Sequence, residues 1–196
     1  MRNYPGINRG DRVKAVTGFP PVTPARHQSA VLRLDMCDIS VEAVLDLLTE
    51  VLKPTGARVD WVIVHACPQF RLHYDQIELV QPWHSIFCIT TKDGEEVVAD
   101  FSVKKFGFDE GYWFMNKHEY LVECTTDGKY RPTSEDVIAR LVENHKKIEF
   151  VYAMIRKMRH VCQELDWDAL EDVPNGERNA WVHARALASL KHDRRR

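Results

Sequence analysis

The stretch that most limits what this chain can fold into is WHSIFCITTKDGEEVVADFSVKKFGF, residues 83–108. Two apolar, β-branched runs, His84–Thr91 and Glu95–Ser102, flank Lys92-Asp93-Gly94-Glu95. Asp-Gly between such runs predicts an antiparallel hairpin, because glycine takes the positive φ that a tight turn needs. His84 opens the first strand and Asp100 lies near the end of the second, so the hairpin returns both to one end of a sheet. There a carboxylate can hold an imidazole in one tautomer and orientation. A two-residue Asp93-Gly94 turn would set the two side chains on opposite faces, since a one-residue slip exchanges faces. A shared face therefore requires a bulge or a longer loop.

The rest of the chain supplies the layers around this hairpin. Residues 1–30 hold Pro5, Pro20, Pro21 and Pro24 with Gly6, Gly10 and Gly18, and read as an extended N-terminal arm. Residues 31–196 read as a single α+β domain, with a core over 31–130 and a helical part over 131–196. Ala30–Met36 is expected as a short strand. Val41, Val44, Leu45, Leu48, Val51 and Leu52 follow helical spacing, with Asp38 or Ser40 as cap, Glu42 in the first turn, and Pro54 and Gly56 as the stop. Cys37 then stands at or just before a helix N-terminus, where backbone N–H groups favour a thiolate.

Arg58–Ala66 reads as a buried strand closed by Cys67-Pro68, with another strand expected at Gln76–Val80. Tyr112-Trp113-Phe114 is expected as a packed loop over a sheet edge and Tyr120–Thr125 as a further strand. Thr133–Leu165 is expected as one helix, with Ile138, Leu141, Ile148, Val151, Ile155, Met158, Cys162 and Leu165 on its apolar face and Thr133 with Asp136 as its cap. A last helix spans roughly Glu177–Lys191, with Trp181, Ala184, Leu187 and Ala188 along one side.

Bulk properties narrow the function classes. A formal net charge of -2 gives no global attraction to nucleic acid or to an anionic membrane, and the basic end, Lys191 to Arg196, reads as a solvated tail. No apolar run has the length of a membrane-spanning helix, and MRNYPGINRGDRVK lacks a signal-peptide core. The five cysteines (Cys37, Cys67, Cys88, Cys124, Cys162) are odd in number and form no CxxC pair. That pattern argues against a disulfide framework and a zinc knuckle, and for a reducing, cytoplasmic setting in which most thiols are small buried hydrophobes.

A cysteine at a helix start, a histidine opening a strand and an acid on the next strand make the sharpest constellation: Cys37, His84 and Asp100. The order resembles the core of the papain-like and transglutaminase-like cysteine enzyme superfamily over about residues 35–108. His84 and Asp100 have the spacing of the histidine–asparagine pair of papain-type proteases. Aspartate at the third position is similar to transglutaminase-like members and arylamine N-acetyltransferases. Asp100-Phe101-Ser102, followed by Phe106-Gly107, resembles the Asp-x-Thr segment that closes the transglutaminase-like core. The resemblance implies an antiparallel sheet with an N-terminal nucleophile helix, and a helical C-terminal third outside the shared core. It implies Cys37 as nucleophile, His84 as base and Asp100 as orienter, in acyl transfer through a thioester on an amide or ester, with no cofactor and a small-molecule or peptide acyl substrate. Trp83, Gln81 and Trp113 are the expected substrate-contacting residues, Trp83 or Gln81 beside the histidine and Trp113 with Asp109 and Glu110 near Asp100.

Asp38, beside the thiol, would raise its pKa through like charge. Cys67, after a strand end and nearer His84 in sequence, is the competing nucleophile. A catalytically inactive binding or scaffold protein on the same fold is the alternative to an enzyme. A third reading, a metal-dependent hydrolase, draws on His65, His73 and His84, with His65 and Cys67 alternating onto one strand face. The apolar face of the 133–165 helix mostly covers the domain's own core, with a homodimer through its remainder as an option.

Overall fold

The computed structural model describes residues 24, 25, 27, 28, 36–69, 73–74, 77–78 and 83–193. The described chain is α+β. Five antiparallel strands form one curled sheet in the order β6-β5-β4-β1-β7, where β1 is Arg58–Ala66, β4 Trp83–Thr90, β5 Glu96–Ala99, β6 Phe114–Asn116 and β7 Thr125–Pro132. Two short strands, β2 (His73–Tyr74) and β3 (Ile77–Glu78), pair apart from it. Helix α1 (Met36–Leu52) precedes the sheet and α2 (Lys117–Cys124) sits between β6 and β7. Helices α3 (Glu135–Lys146), α4 (Glu149–Glu164), α5 (Trp167–Glu171) and α6 (Arg178–Asp193) complete the C-terminal third. No helix of the described residues is long and apolar enough to cross a membrane.

The hairpin closes through three residues, not two. Thr91 N–H donates to Glu95 O (2.8 Å) and Gly94 N–H to Thr91 O (3.0 Å), with Gly94 at φ +85°. This is the longer loop that a shared face requires, a tight turn followed by a left-handed glycine. Its consequence runs along both strands. The register pairs Thr90 with Glu96 and Phe87 with Ala99, so partners keep the same parity, and β1 pairs with β4 in the same way, Val64 opposite His84. Even-numbered Val62, Val64, Ile86, Cys88 and Val98 consequently meet in one core cluster, with Phe106, Phe108 and Tyr120. Odd-numbered Trp61, Phe87, Ile89 and Ala99 face the other way, against Val41, Val44, Leu45 and Leu48 of α1 and Ile138 and Leu141 of α3. Both faces of β4 are thereby covered, which explains the unbroken burial of residues 84–89.

Several expectations are corrected. Tyr120–Thr125 is mostly helix: the Asn116 side chain accepts from His118 N–H (2.8 Å) and caps α2, and only Thr125 begins a strand. Phe114 is not loop but opens β6, the edge strand beside β5. The helix expected over 133–165 is two helices broken at Lys147-Ile148, with Ser134 rather than Thr133 at the cap position. Between Leu141 and Val151 the spacing offers Asn144 and His145 where an apolar stripe would continue. The chain turns there, so α3 packs on the sheet-side cluster while Val151, Met154, Ile155 and Met158 of α4 pack on Ile39 and Ala43 of α1. On α6, Trp181 is half-buried as expected, but Ala184, Leu187 and Ala188 are exposed. Of the Ala30–Met36 strand, residues 30–35 lie outside the described residues, and Met36 begins α1; the 1–30 arm also lies outside them except for 24, 25, 27 and 28. Asp38 and Ser40 lie within α1 instead of capping it: Ser40 Oγ donates back to Cys37 O (2.9 Å). Glu42 is no surface charge but buried, bonded to His145 of α3 (2.5 Å), while Arg159 of α4 donates to its carbonyl (3.0 Å). Phe150 of α4 is 71% exposed, so part of the C-terminal apolar face does lie open.

Gly94 carries the loop because an added Cβ would meet nothing within 4 Å yet would sit at positive φ. Gly94→Ala is expected to lower unfolding free energy by about 1–2 kcal/mol through backbone strain alone. Urea denaturation, with the midpoint shifted and the slope unchanged, is the check.

Candidate active site

His84 and Asp100 are 1% exposed each, on the even-numbered face at the end of β4. His84 Nε2 lies 2.7 Å from Asp100 Oδ2. The same carboxylate oxygen accepts the Tyr120 hydroxyl at 2.7 Å, and Oδ1 accepts the Ser102 N–H at 3.0 Å. The backbone of Asp100 is anchored as well, its N–H donating to Trp113 O (2.8 Å). Phe106 packs edge-on against the imidazole, ring centroids 4.7 Å apart. Every oxygen of a carboxylate without solvent is thus met by a donor, the condition under which burial of that charge is tolerable.

With Nε2 committed to Asp100, the remaining ring nitrogen is Nδ1, which is buried and has no hydrogen-bond partner among the described residues. Cys37 stands in the first turn of α1, 6% exposed, and its thiol donates to Asp38 Oδ1 at 3.9 Å. The Cys37 and His84 side chains influence one another electrostatically, each favouring the charged form of the other. The first turn of α1 is tied to the same end of β4 by Ser85, whose hydroxyl donates to Asp38 Oδ1.

Charges at this end act on one another in both directions. Burial alone would push the Cys37 thiol up; the His84 side chain and the Lys105 and His84 charges outweigh it, and outweigh Asp38, so the thiol is held below its ordinary 9.0. Burial likewise opposes the imidazolium, and Lys105 opposes it too, but the Asp100 charge and hydrogen bond, with the influence of Cys37, hold His84 above 6.5. Asp100 is held below 3.8, where burial is overcome by His84, Tyr120 and the Ser102 N–H. Burial, then the Asp100 charge, keeps Tyr120 protonated and hence a donor, well above its usual 10.0. Cys88 and Cys162 are pushed up by burial, and Cys124 to about 12 by burial and then the Asp100 charge.

The remaining sequence candidates separate. Cys67 is exposed at the end of β1, its N–H bonded to Cys124 O (2.8 Å), whereas Cys37 is the buried cysteine whose electrostatics are coupled to His84. Trp83 immediately precedes His84 and so points to the opposite face, 55% exposed, between His65 (centroids 5.3 Å apart) and the Arg131 guanidinium (5.1 Å). It does not wall the histidine. Trp113 supports Asp100 through its carbonyl, and the Lys104 ammonium lies 5.1 Å over its ring. Gln81 lies outside the described residues. Asp109 accepts from Gly111 N–H, and Glu110 pairs with Lys104. His65 pairs in register with Trp83, not His84, so the two histidines are on opposite sheet faces and cannot share one metal ion. No group of three or more metal-ligating side chains occurs among the described residues.

Tyr120, Ser102 and Lys105 are the members that sequence reasoning missed. Asn116-Lys117-His118-Glu119 has the form of a capped helix start, and reading it so would have put Tyr120 on a helix facing the sheet. Compared with protein-family models, curated proteins and solved structures, the chain matches none.

A group held below its unfolded pKa contributes stability above that value, and the contribution is lost as pH falls through the folded value. Asp100 therefore adds stability at neutral pH that disappears on acidification below about 3.8. Tyr120→Phe removes one donor from the carboxylate and is expected to cost about 1.5–3 kcal/mol at pH 7. The deficit relative to the unaltered protein should shrink at acid pH, measured by urea unfolding at both pH values.

Proposed function

We propose that the chain is a cysteine-dependent acyl-transfer enzyme built on a papain-like or transglutaminase-like core, with Cys37 as nucleophile, His84 as base and acid, and Asp100 as orienter. The observation that carries this reading is the buried His84 Nε2–Asp100 bond of 2.7 Å, which leaves Nδ1 for the Cys37 thiol. A carboxylate that fixes the tautomer, an imidazole raised above 6.5 and a thiol held below 9.0 are what a thiolate nucleophile needs at neutral pH. The arrangement also agrees with the resemblance: a helix bearing the cysteine, then antiparallel strands that bring the histidine and the acid.

In the proposed cycle His84 takes the thiol proton and the sulfur attacks the carbonyl carbon of an amide, ester or thioester. The Cys37 N–H, in the first turn of α1, is the candidate donor to the oxygen on which negative charge develops. Collapse breaks the bond to the leaving group, which departs with the proton from His84, and a thioester remains. Water or an amine then gives its proton to His84 and attacks the thioester. The acyl product leaves, and the thiolate and imidazolium are restored. Asp100 stays ionised throughout and Tyr120 keeps it so.

Mixing the protein with p-nitrophenyl acetate, a generic activated acyl donor, tests the nucleophile. A burst of p-nitrophenol close to one per protein is expected, with an acetyl group recovered on Cys37 by peptide mass spectrometry. Cys37→Ser should abolish the burst, and His84→Gln should slow it by about 10²-fold or more. A burst that survives Cys37→Ser, or acetylation that falls chiefly on exposed Cys67, would overturn the assignment.

A further inference from the structure

Charge at the buried end of the sheet does not balance with the Cys37–His84–Asp100 set alone. When the thiol and imidazole ionise, Cys37, Asp38 and Asp100 supply three negative charges and His84 one positive charge. Buried charge that is left uncompensated is costly and drives the group to its neutral form. Asp38 is drawn to Ser85, whose hydroxyl is a donor but not a cation.

A second cation is nevertheless close by. Lys105 lies in the single turn Val103–Phe106, directly after Asp100, and its side chain is buried, the residue only 5% exposed. The turn is pinned at both ends: Lys105 N–H donates to Ser102 O (3.0 Å), and Gly107, at φ +93°, closes it through Lys104 O (3.1 Å). Ser102 in turn holds Asp100, and Phe106 packs against the imidazole. The Lys105 ammonium lies 4.7 Å from the centre of the Phe106 ring, one ring removed from His84. A lysine is almost never buried unless its charge is used.

We propose that Lys105 is a positioning residue of the acyl-transfer site, the second cation that holds Cys37 as a thiolate against Asp38. The inference rests on the proposed function of the site and deepens it. The groups acting on the Cys37–His84 pair come from each neighbouring element: Asp38 from α1, Asp100 after β5, and Lys105 from the turn that follows; Tyr120 from α2 acts on Asp100. The Lys105 charge works in one direction on both partners, favouring thiolate over thiol and imidazole over imidazolium. Its removal should therefore move both protonation steps, and with them the whole profile of reactivity against pH, upwards. A purely structural role would lower the rate without moving the profile.

The test is the rate of Cys37 alkylation by iodoacetamide from pH 5 to 10, read at the Cys37 peptide by mass spectrometry. Lys105→Met and Lys105→Gln are expected to shift the profile up by about one pH unit, which lowers the rate near pH 7 by up to about tenfold. Lys105→Arg keeps the charge and should keep the profile. Lys105→Met combined with Asp38→Asn removes one charge of each sign and should return the profile towards its original place. Uncharged variants that fold and alkylate along the unaltered profile would overturn the inference. So would collapse of both uncharged variants while Lys105→Arg folds, because the charge would then serve folding. If Cys37 in the unaltered protein alkylates like an ordinary thiol, the acyl-transfer reading fails instead, whatever Lys105 does.

Discussion

An imidazole and a carboxylate at the end of β4, both closed off from solvent, set the terms for the rest of the structure. Two opposite charges in such a place attract strongly, but each loses its hydration, and the attraction offsets that loss only where the remaining donors and acceptors are also satisfied. The described residues meet that condition around Asp100, while His84 Nδ1 stays buried without a partner among them. Tyr120 comes from α2, the Ser102 N–H from the turn after β5, the Trp113 carbonyl from the approach to β6, and Phe106 fills the space beside the ring. Remove the pair and these elements lose the common object around which they are placed. A pair needed only for stability would be replaceable by apolar side chains of similar volume. A buried pair that leaves one ring nitrogen without a hydrogen-bond partner is what gives the functional reading its weight.

How much of this was legible in the chain divides along physical lines. The hairpin was legible because Asp93-Gly94 and two β-branched runs are local signals, and the need for a longer loop followed from parity alone. The same parity rule, applied to β1, separates His65 from His84 and disposes of a shared metal site. Cys37 was legible as the start of an amphipathic helix. Tyr120 was not, because Tyr-Leu-Val-Glu-Cys-Thr suits a strand by propensity, and the Asn116 cap that decides for helix lies four residues earlier. The break between α3 and α4 was lost for the opposite reason. No proline or glycine marks it, and only the polar run from Glu143 to Lys147 shows that the apolar stripe lapses. Trp83 was misassigned by nearness in sequence, although neighbours in a strand face opposite ways.

The acid beside Cys37 shows why single residues mislead. Asp38 in isolation works against a thiolate, and it does so here. Its effect is outweighed by groups that are distant in sequence and close in space: His84 from β4 and Lys105 from a turn nearly seventy residues on. Burial is the largest single influence on Cys37, His84, Asp100 and Tyr120, and in the first three the neighbours reverse its direction. Cys124 and Cys162 lack such neighbours, and at Cys88 the Lys117 and Arg58 charges are too weak to reverse it, so burial prevails in all three.

The central claim is that Asp100 holds His84 through Nε2 and turns Nδ1 to the Cys37 thiol. The ¹⁵N shifts of the His84 ring, followed across pH in the unaltered protein and in Cys37→Ser, report on both halves of it. The account predicts a ring still doubly protonated above pH 6.5, and a Nδ1 shift that changes when the sulfur is replaced. A ring already neutral at pH 6.5, with an Nδ1 shift indifferent to Cys37→Ser, would contradict it.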